Sequence, residues 1–221
     1  MLTKGSLKEE GGGYTFFWKG KPQAEDRIDR FGFAIRSALL KNTPALPVGI
    51  NECLLKVRIP ISKIRYLTVV SAYVPTLTSP DETKEKFYEQ FDQVIRSTPP
   101  SDKLIILGHF NARVEKDHNS WEGVLGRHGE GKVNDNGLLL LSKCAEHSLC
   151  ITNTLFRVAD KYKTTWMHPR SKHWHMIDFV IVRQRDSRDV CLTRTMRGAE
   201  CWTDHRLVRT VLSLHIATPD C

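Results

Sequence analysis

The sequence of 221 residues lacks the features that mark membrane and secreted proteins. No apolar run approaches the roughly 18–20 residues that a helix needs to cross a bilayer. The first residues, MLTKGSLKEEGGGYTFFW, contain neither the apolar core nor the small-residue cleavage site of a secretory signal. The six cysteines include no C-x-x-C pair, which argues against zinc modules and a dense disulfide framework, so we expect reduced thiols. We therefore expect a nuclear or cytoplasmic protein that is not secreted and has no membrane partner.

The charge balance favours a polyanionic partner. Lys and Arg total 33 against 25 acidic residues, which gives a net charge of +8. An excess of this size favours nucleic acid or an acidic surface, and a solvated basic surface is the alternative. Basic residues are spread along the chain, with a local concentration over 183–197, and no block resembles a disordered basic tail. No small organic cofactor is expected.

Short strand-like segments dominate the chain from residue 14 onward. We predict strands in YTFFW, FGFAI, LLKVRI, YLTVVSAYV, KLIILG, LCITNT, HMIDFVIV and DHRLVRTVLSLHI. Helical spacing of apolar residues predicts helices over 79–97 and 137–147. Residues 1–13 are too polar and glycine-rich to pack, and 112–136 indicate a loop. The pattern favours one α+β domain over 14–216, a two-sheet β-sandwich flanked by helices.

Several predicted strands end or begin in polar side chains. A sandwich gathers strand ends at one rim, so these side chains are expected to line one cleft. Carboxylates hold divalent metals, a histidine donates to a phosphate oxygen, and Asn or Tyr positions the phosphate or the attacking water. Each residue alone also has a structural explanation, such as a turn cap or a half-buried aromatic. The residues are Tyr73, His109, Asn111, Asp178, Asp204 and His205.

The motifs around these residues resemble a known family. GHFNARV resembles the GDFNA motif of the endonuclease/exonuclease/phosphatase superfamily, and WTDHRLV resembles its closing SDH motif. SAYVPT and WHMIDFVIV resemble the strands with that family's active-site Tyr and late Asp. KYKTTWMHPRSKHWHMIDFVIVRQRD and GAECWTDHRLVR are similar to endonuclease domains of RTE-type non-LTR retrotransposons and to the craniofacial development protein 2-like proteins derived from them. The resemblance implies a DNase I-like four-layer α/β/β/α fold.

The resemblance also implies roles for single residues. Asp204 would lie near a Mg²⁺ ion. His205 would contact the scissile phosphate, with its tautomer fixed by Asp178. Asn111 and Tyr73 would orient the phosphate and the nucleophile. Members of the family cleave phosphodiesters with Mg²⁺, and the retrotransposon branch nicks DNA, so DNA is the implied partner.

Two departures from the family pattern bear on the site. His109 stands where the family has an Asp that activates or orients water, and loss of such a group typically lowers the rate ~10²–10⁴-fold. The beginning of the chain resembles the family segment downstream of two strands that carry an Asn and the main metal-binding Glu. Glu9 and Glu10 have no supporting strand, so neither is assigned as a ligand. We expect an N-terminally truncated fold with unpaired strand edges, a partly uncovered core and weakened or lost Mg²⁺ binding.

The loop before Asp178 holds further candidates. Thr165 falls where related retrotransposon nucleases have a phosphate-contacting Thr. Trp166 and Trp174, with basic neighbours at 170 and 172, form a possible stacking surface for DNA, and packing of the loop is the alternative. The histidines of this loop lack a carboxylate or Cys at zinc-like spacing, so a zinc site is not favoured. They are His168, His173 and His175.

The sequence therefore predicts a retrotransposon-derived, Mg²⁺-dependent phosphodiesterase domain of the DNA endonuclease type, weakened or inactive in this copy. A non-catalytic remnant that binds nucleic acid or protein is the first alternative. A phosphatase of small phosphoesters is the second, since fold alone does not fix the substrate.

Overall fold

The structure, a computed structural model, describes residues 3–9, 11–20, 31–41, 43, 46–199 and 203–214. The strands are β1 (Thr3–Lys8), β2 (Tyr14–Gly20), β3 (Phe31–Arg36), β4 (Val48–Gly49), β5 (Leu54–Pro60), β6 (Tyr66–Tyr73), β7 (Lys103–His109), β8 (Leu149–Ile151), β9 (Trp166–Met167), β10 (Trp174–His175), β11 (Asp178–Arg183), β12 (Val190–Met196) and β13 (Leu207–Leu212). The helices are α1 (Ser37–Leu40), α2 (Asp81–Arg96) and α3 (Asp135–Glu146). None of the described helices is long and apolar enough to span a membrane.

The largest sheet has six strands in the order β4-β5-β6-β7-β11-β8. The neighbours β6 and β7 run parallel, and the other pairs of this sheet are antiparallel. A parallel pair needs a crossover connection, and α2 supplies it between β6 and β7. Because β11 runs opposite to β6 and β7, its first residue, Asp178, lies at the end of the sheet where β6 and β7 finish. We call this end of the sheet the rim.

One face of the six-stranded sheet is covered by α2 and α3. Leu104 and Ile106 of β7 belong to this face, and they form a continuous buried cluster with Phe91 of α2 and Leu141 of α3. Alternation along the strand sends Ile105 and the neighbouring 107 side chain to the opposite face. The predicted helix over 79–97 is confirmed because its apolar positions recur at the spacing that faces a sheet.

The opposite face is covered by two separate small sheets. The sheet β1-β2-β3 packs Phe17 and Ile35 on Val57, and the sheet β12-β13 packs against Val180. Within the described residues these two sheets do not pair with each other. Beside β13 lies an apolar groove of about 540 Å³ floored by residues of β6, β7 and β11. The α+β sandwich is confirmed, and the groove is a part of the core without a complete cover.

The structure differs from the sequence-based expectation at several elements. Thr3–Lys8 lies in the segment that we expected to be loose, yet it forms β1 along the edge of β2. Gly5 leaves room there for the ring of Trp18, which approaches the position of its missing Cβ. The strand predicted in LCITNT stops at Ile151 and continues as a 3-10 turn, and β12 was not predicted.

The four described cysteines form no disulfide with one another. They are Cys53, Cys144, Cys150 and Cys191. The predictions made for Glu10, Cys201, Cys221 and residues 215–216 of the last strand fall outside the described residues.

Candidate active site at the rim

Three of the predicted side chains stand in one row across the rim. Tyr73 at the end of β6 is the register partner of His109 at the end of β7, and His109 is the partner of Asp178 at the start of β11. The ring centroids of Tyr73 and His109 lie 5.2 Å apart. The row confirms that these strand ends converge, and the sheet itself fixes the spacing of the three residues.

The backbone at the end of β7 needs the residue types found there. Gly108 has φ +146°, and a Cβ at this position would meet the carbonyl oxygen of Ala72 at 1.9 Å. Asn111 has φ 48°, a left-handed conformation that Asn tolerates better than most residues. The chain therefore turns sharply on both sides of Phe110, and this turn sets His109 and Asn111 side by side.

Asp178 lies between two imidazoles. Its Oδ1 is 2.9 Å from Nδ1 of His109, and its Oδ2 is 3.0 Å from Nδ1 of His205. We call these three residues the rim cluster. Burial disfavours the charged form of Asp178, but the hydrogen bonds from both histidines outweigh it and lower its pKa well below the usual range. Burial lowers the pKa of His205, and the bond to Asp178 outweighs this and leaves the pKa raised.

Both ring nitrogens of His109 face hydrogen-bond acceptors. Nε2 is 2.9 Å from Oδ1 of Asn111, and Nδ1 faces Asp178. The amide group of Asn111 donates to the carbonyl of Val74 at 2.7 Å, which turns its oxygen toward His109. An imidazole held between a carboxylate and an amide thus stands at the position where the related family has an acid.

Two buried asparagines that the sequence did not single out hold the rim in place. Asn136 donates to the carbonyls of Asn111 and Pro75, each at 3.1 Å. Asn153 donates to the carbonyl of Asp178 at 3.1 Å and accepts from the N–H of Val180 at 2.9 Å. These bonds join residues that are far apart in the sequence, so they could not be predicted from a local sequence motif.

Asp204 lies beside the rim cluster but outside it. Its Oδ2 accepts a 2.6 Å hydrogen bond from the indole N–H of Trp166. Burial raises the pKa of Asp204, and the Trp166 bond with other hydrogen bonds outweighs this and lowers it. An isolated bridge between Trp166 and His205 joins the two segments. The carboxylate predicted to lie near a metal thus anchors the Trp166 side of the site.

Thr165 is fully buried and acts on the backbone. Its hydroxyl oxygen accepts from the N–H groups of Ile177 at 3.1 Å and Asp178 at 3.2 Å. The hydroxyl itself donates to the carbonyl of His175 at 3.4 Å. In this structure Thr165 fixes the start of β11 and does not line the cleft.

A cleft of about 670 Å³ opens over the row. Arg113, two residues after Asn111, is one of its lining residues and was not predicted from the sequence. The signal was present, since Arg113 belongs to the quoted GHFNARV motif. The lining includes Tyr73, His109, Asn111, Arg113, Trp166 and His205.

The hairpin of β9 and β10 forms one wall of the cleft. The indole of Trp166 packs beside His168 and His205, with ring centroids 5.4 Å and 6.3 Å away. The guanidinium of Arg206 lies 3.3 Å from the ring centroid of Trp174. One face of Trp174 is therefore already covered, which favours packing over base stacking for this residue.

The described residues include two groups of side chains with metal-binding geometry. One is the rim cluster. The other consists of Asp92 on α2 and of Glu146 and His147 at the end of α3, and we call it the helix cluster. The loop histidines 168, 173 and 175 form no such group among the described residues. Mg²⁺ prefers oxygen ligands, mainly carboxylates. The rim cluster offers one carboxylate, whose two oxygens both accept from imidazoles, so these residues do not fit Mg²⁺ well.

Residues 67–209, which contain the whole rim, match a family model described as endonuclease-reverse transcriptase. Craniofacial development protein 2 of Bos taurus is 36% identical over 142 residues, which are 64% of this chain and 24% of that protein. The protein of the same name from Tragulus javanicus is 34% identical over 142 residues. The chain thus spans about a quarter of the length of these curated relatives.

Solved structures share the fold at low identity. The endonuclease domain of TRAS1, a telomere-specific non-LTR retrotransposon, gives a TM-score of 0.65 at 16% identity and covers 92% of this chain and 82% of its own. The Neisseria 3' phosphatase NExo, bound to product DNA hairpin, gives 0.61 at 18% identity and covers 90% of this chain and 79% of its own. At these identities the likeness establishes the architecture, and the function has to be argued from the rim.

Proposed function

Since this chain belongs to the endonuclease-reverse transcriptase family, we propose that it is a retrotransposon-derived phosphodiesterase domain of the DNA endonuclease type, with catalysis weakened or lost. The observation that carries the proposal is the convergence of Tyr73, His109 and Asp178 in one row, with His205 bonded to Asp178. Four chain segments meet there, and Tyr73, His109 and His205 line one cleft, which supports a site for a phosphate group.

The geometry gives each residue a role in this proposal. His205 uses Nδ1 for Asp178, so its Nε2 is the nitrogen that would meet the scissile phosphate. Asp178 fixes the tautomer and orientation of His205. Asn111 and Tyr73, which line the cleft beside His109, would orient the phosphate and the attacking water.

The weakness of catalysis follows from His109. The family chemistry uses Mg²⁺, which when bound offsets the negative charge that develops on the phosphate. Here an imidazole replaces an acid, and Asp178 has both oxygens engaged by histidines. We propose that Mg²⁺ binding is weakened or lost. We also propose that the rate of phosphodiester cleavage is about 10²–10⁴-fold lower, because the positioned acid–base group is missing.

DNA is the proposed partner. The net charge is +8, and Arg113 lines the cleft while Arg170 and Lys172 lie exposed on the β9–β10 hairpin. Such residues contact phosphates, and Trp166 at the cleft wall offers an aromatic surface. The relatives named above include a retrotransposon endonuclease domain and an enzyme bound to a DNA hairpin. A nuclear or cytoplasmic location goes with this proposal.

A second candidate function is a non-catalytic domain that binds nucleic acid or a protein partner. The contact of His109 with Asp178 favours it, because the carboxylate that would tune His205 is shared with a second histidine. The basic surface is the same in both candidates, so binding alone does not separate them.

A plasmid-nicking assay with Mg²⁺ separates the two. We expect little or no nicking by the wild type, and a gain of about 10²-fold or more in His109→Asp. The gain should disappear when His205→Ala is added and persist when His118→Ala, a histidine outside the cleft lining, is added instead.

No nicking by the folded His109→Asp variant, together with salt-sensitive DNA binding, would favour the non-catalytic candidate. Absence of both nicking and DNA binding would contradict the nuclease and the nucleic-acid-binding domain, and would leave binding of a protein partner.

A further inference from the structure

The rim cluster combines donors of a kind that Mg²⁺ does not favour. It offers two imidazoles and one carboxylate, and their ligand atoms all lie within 4.8 Å of one another. Imidazole nitrogen is a good ligand for Zn²⁺ and neighbouring transition metals, whereas Mg²⁺ selects oxygen. Two His and one carboxylate with an open fourth position is a set found in catalytic zinc sites.

We propose that His109, Asp178 and His205 form a Zn²⁺ site, created in this chain by the histidine at position 109. The proposal concerns metal binding only. It stands whether or not the chain cleaves DNA.

The distances are close to those of a tetrahedral zinc site. With metal–ligand bonds of about 2.0–2.1 Å, two ligand atoms of a tetrahedron lie roughly 3.3–3.4 Å apart. In the rim cluster the nitrogen–oxygen separations are 2.9 Å from His109 to Oδ1 of Asp178 and 3.0 Å from His205 to Oδ2. One ligand atom from each of the three residues lies within 4.8 Å of the other two, so rotation of the side chains would bring them to ligand spacing, with Zn²⁺ displacing the protons between them.

The scaffold holds two of the three ligands firmly. His109 and Asp178 face each other in register on β7 and β11, at the centre of the six-stranded sheet. The backbone of Asp178 is further fixed by Thr165 and Asn153. His205 is held through its bridge to Trp166. A site on neighbouring strands binds metal with little loss of conformational freedom.

The cleft provides the remaining coordination position. The side chains of His109 and Asp178 are 15% and 18% exposed, and that of His205 is 31% exposed, so solvent reaches the cluster from one side. The same two histidines line the cleft of about 670 Å³. Water or a phosphate oxygen can therefore take the fourth position.

The helix cluster is a poorer candidate for the same ion. Asp92 already pairs with Arg96 at 2.8 Å and with Lys143 at 3.3 Å, and Glu146 pairs with both cations. A divalent ion there would have to displace two permanent positive charges. No Lys or Arg forms an ion pair with Asp178 within the part of the chain that the structure describes.

Calorimetric titration of the chelator-treated, dialysed protein with zinc chloride tests the site. We expect one Zn²⁺ per chain and a much weaker response to magnesium chloride. His109→Gln and His205→Gln each remove one ligand, so the affinity should fall by more than the 10–100-fold that outer-sphere partners typically contribute. His173→Gln, at an exposed histidine of the hairpin, and Cys191→Ser, at an exposed thiol, should leave it unchanged.

The variants should be confirmed as folded by circular dichroism. Failure of the folded wild type to bind Zn²⁺ would overturn the proposal, and so would binding that survives His205→Gln. Binding lost in His173→Gln would assign the ion to the hairpin and overturn it as well. Because the readout is heat of metal binding, these results are independent of the nicking assay.

Discussion

The rim cluster and the helix cluster both combine histidine with carboxylate but differ in their surroundings. In the helix cluster each carboxylate meets full cations, Arg96 and Lys143, as well as His147. In the rim cluster the charged or titratable partners of Asp178 among the described residues are imidazoles, and one side is open to a cleft. Permanent cations tie the helix cluster into a link between α2 and α3. Titratable partners leave the rim cluster able to exchange protons for a metal or a phosphate.

The largest expected effect on the free energy of unfolding comes from the core between α2, α3 and the sheet. Phe91 of α2 is 1% exposed and belongs to the closed core between helices and sheet. Phe91→Ala should lower the free energy of unfolding by about 3–5 kcal/mol, because the transfer free energy and a cavity term add. Urea unfolding followed by circular dichroism measures it.

Leu107→Ala is the matched change on the other face of the sheet. Leu107 is half-buried and lines the apolar groove, so its truncation leaves no closed cavity. We expect a loss of about 1 kcal/mol. Equal losses in the two variants would mean that the groove is as closed as the helix-covered core.

A smaller effect is expected from the helix cluster itself. Asp92→Asn removes the charge shared by Arg96, Lys143 and His147, and hydrogen bonds to charged groups contribute about 1.5–3 kcal/mol at buried sites. Because these side chains are partly exposed, we expect a loss of about 1–2 kcal/mol in urea unfolding. Zn²⁺ binding should be unchanged. A loss of Zn²⁺ binding in Asp92→Asn would reverse the assignment of roles to the two clusters.

The sequence predicted the rim better than the layer that covers the groove. The strands β6, β7 and β11 are apolar runs that end in polar residues, so Tyr73, His109 and Asp178 could be located before their contacts were known. The strand β12 escaped prediction because its inward residues include Thr193 and Thr195. Thr193 is buried, and its hydroxyl is hydrogen-bonded to threonines of two other segments. A hydrophobic pattern does not detect a buried residue of this kind.

Roles within the site were less predictable than positions. Thr165 and Asp204 were expected to contact phosphate or metal, and these roles stay predictions; the hydrogen bonds that join them to the backbone of β11 and to Trp166 were not foreseen. Such partners come from segments distant in sequence. They are set by how β9 lies against the residues around 204, and nothing in the local motif encodes that.

The rim cluster should show itself in the pH dependence of stability. The pKa of Asp178 is lowered, so its contribution is present above its unfolded value near 4 and is lost at lower pH. The pKa of His205 is raised, so its contribution is full below about 6.5 and is lost as pH rises through the folded value. Between pH 6 and 9 the wild type should therefore lose about 0.2–1 kcal/mol relative to His205→Gln.

Urea unfolding of the two proteins in a chelating buffer measures this difference. Lys86→Gln, an exposed substitution on α2 that removes no histidine and no carboxylate, should retain the wild-type decline. A parallel pH dependence of the wild type and His205→Gln would show that Asp178 does not bind His205 more tightly when it is charged.

The smallest expected effect is on the salt dependence of DNA binding, and it distinguishes the cleft side of the molecule from the side of α2. Lys172 lies exposed in the hairpin loop beside the cleft, and Lys86 lies exposed on α2. If DNA binds over the cleft, Lys172→Gln removes one phosphate contact, so the slope of log affinity against log salt should fall by about 0.9. Lys86→Gln changes the net charge equally but should leave the slope unaltered, because the helix side does not face the DNA. Fluorescence anisotropy with a labelled duplex at several salt concentrations gives both slopes, and equal changes would mean that the charge of the whole protein, and not the rim, governs binding.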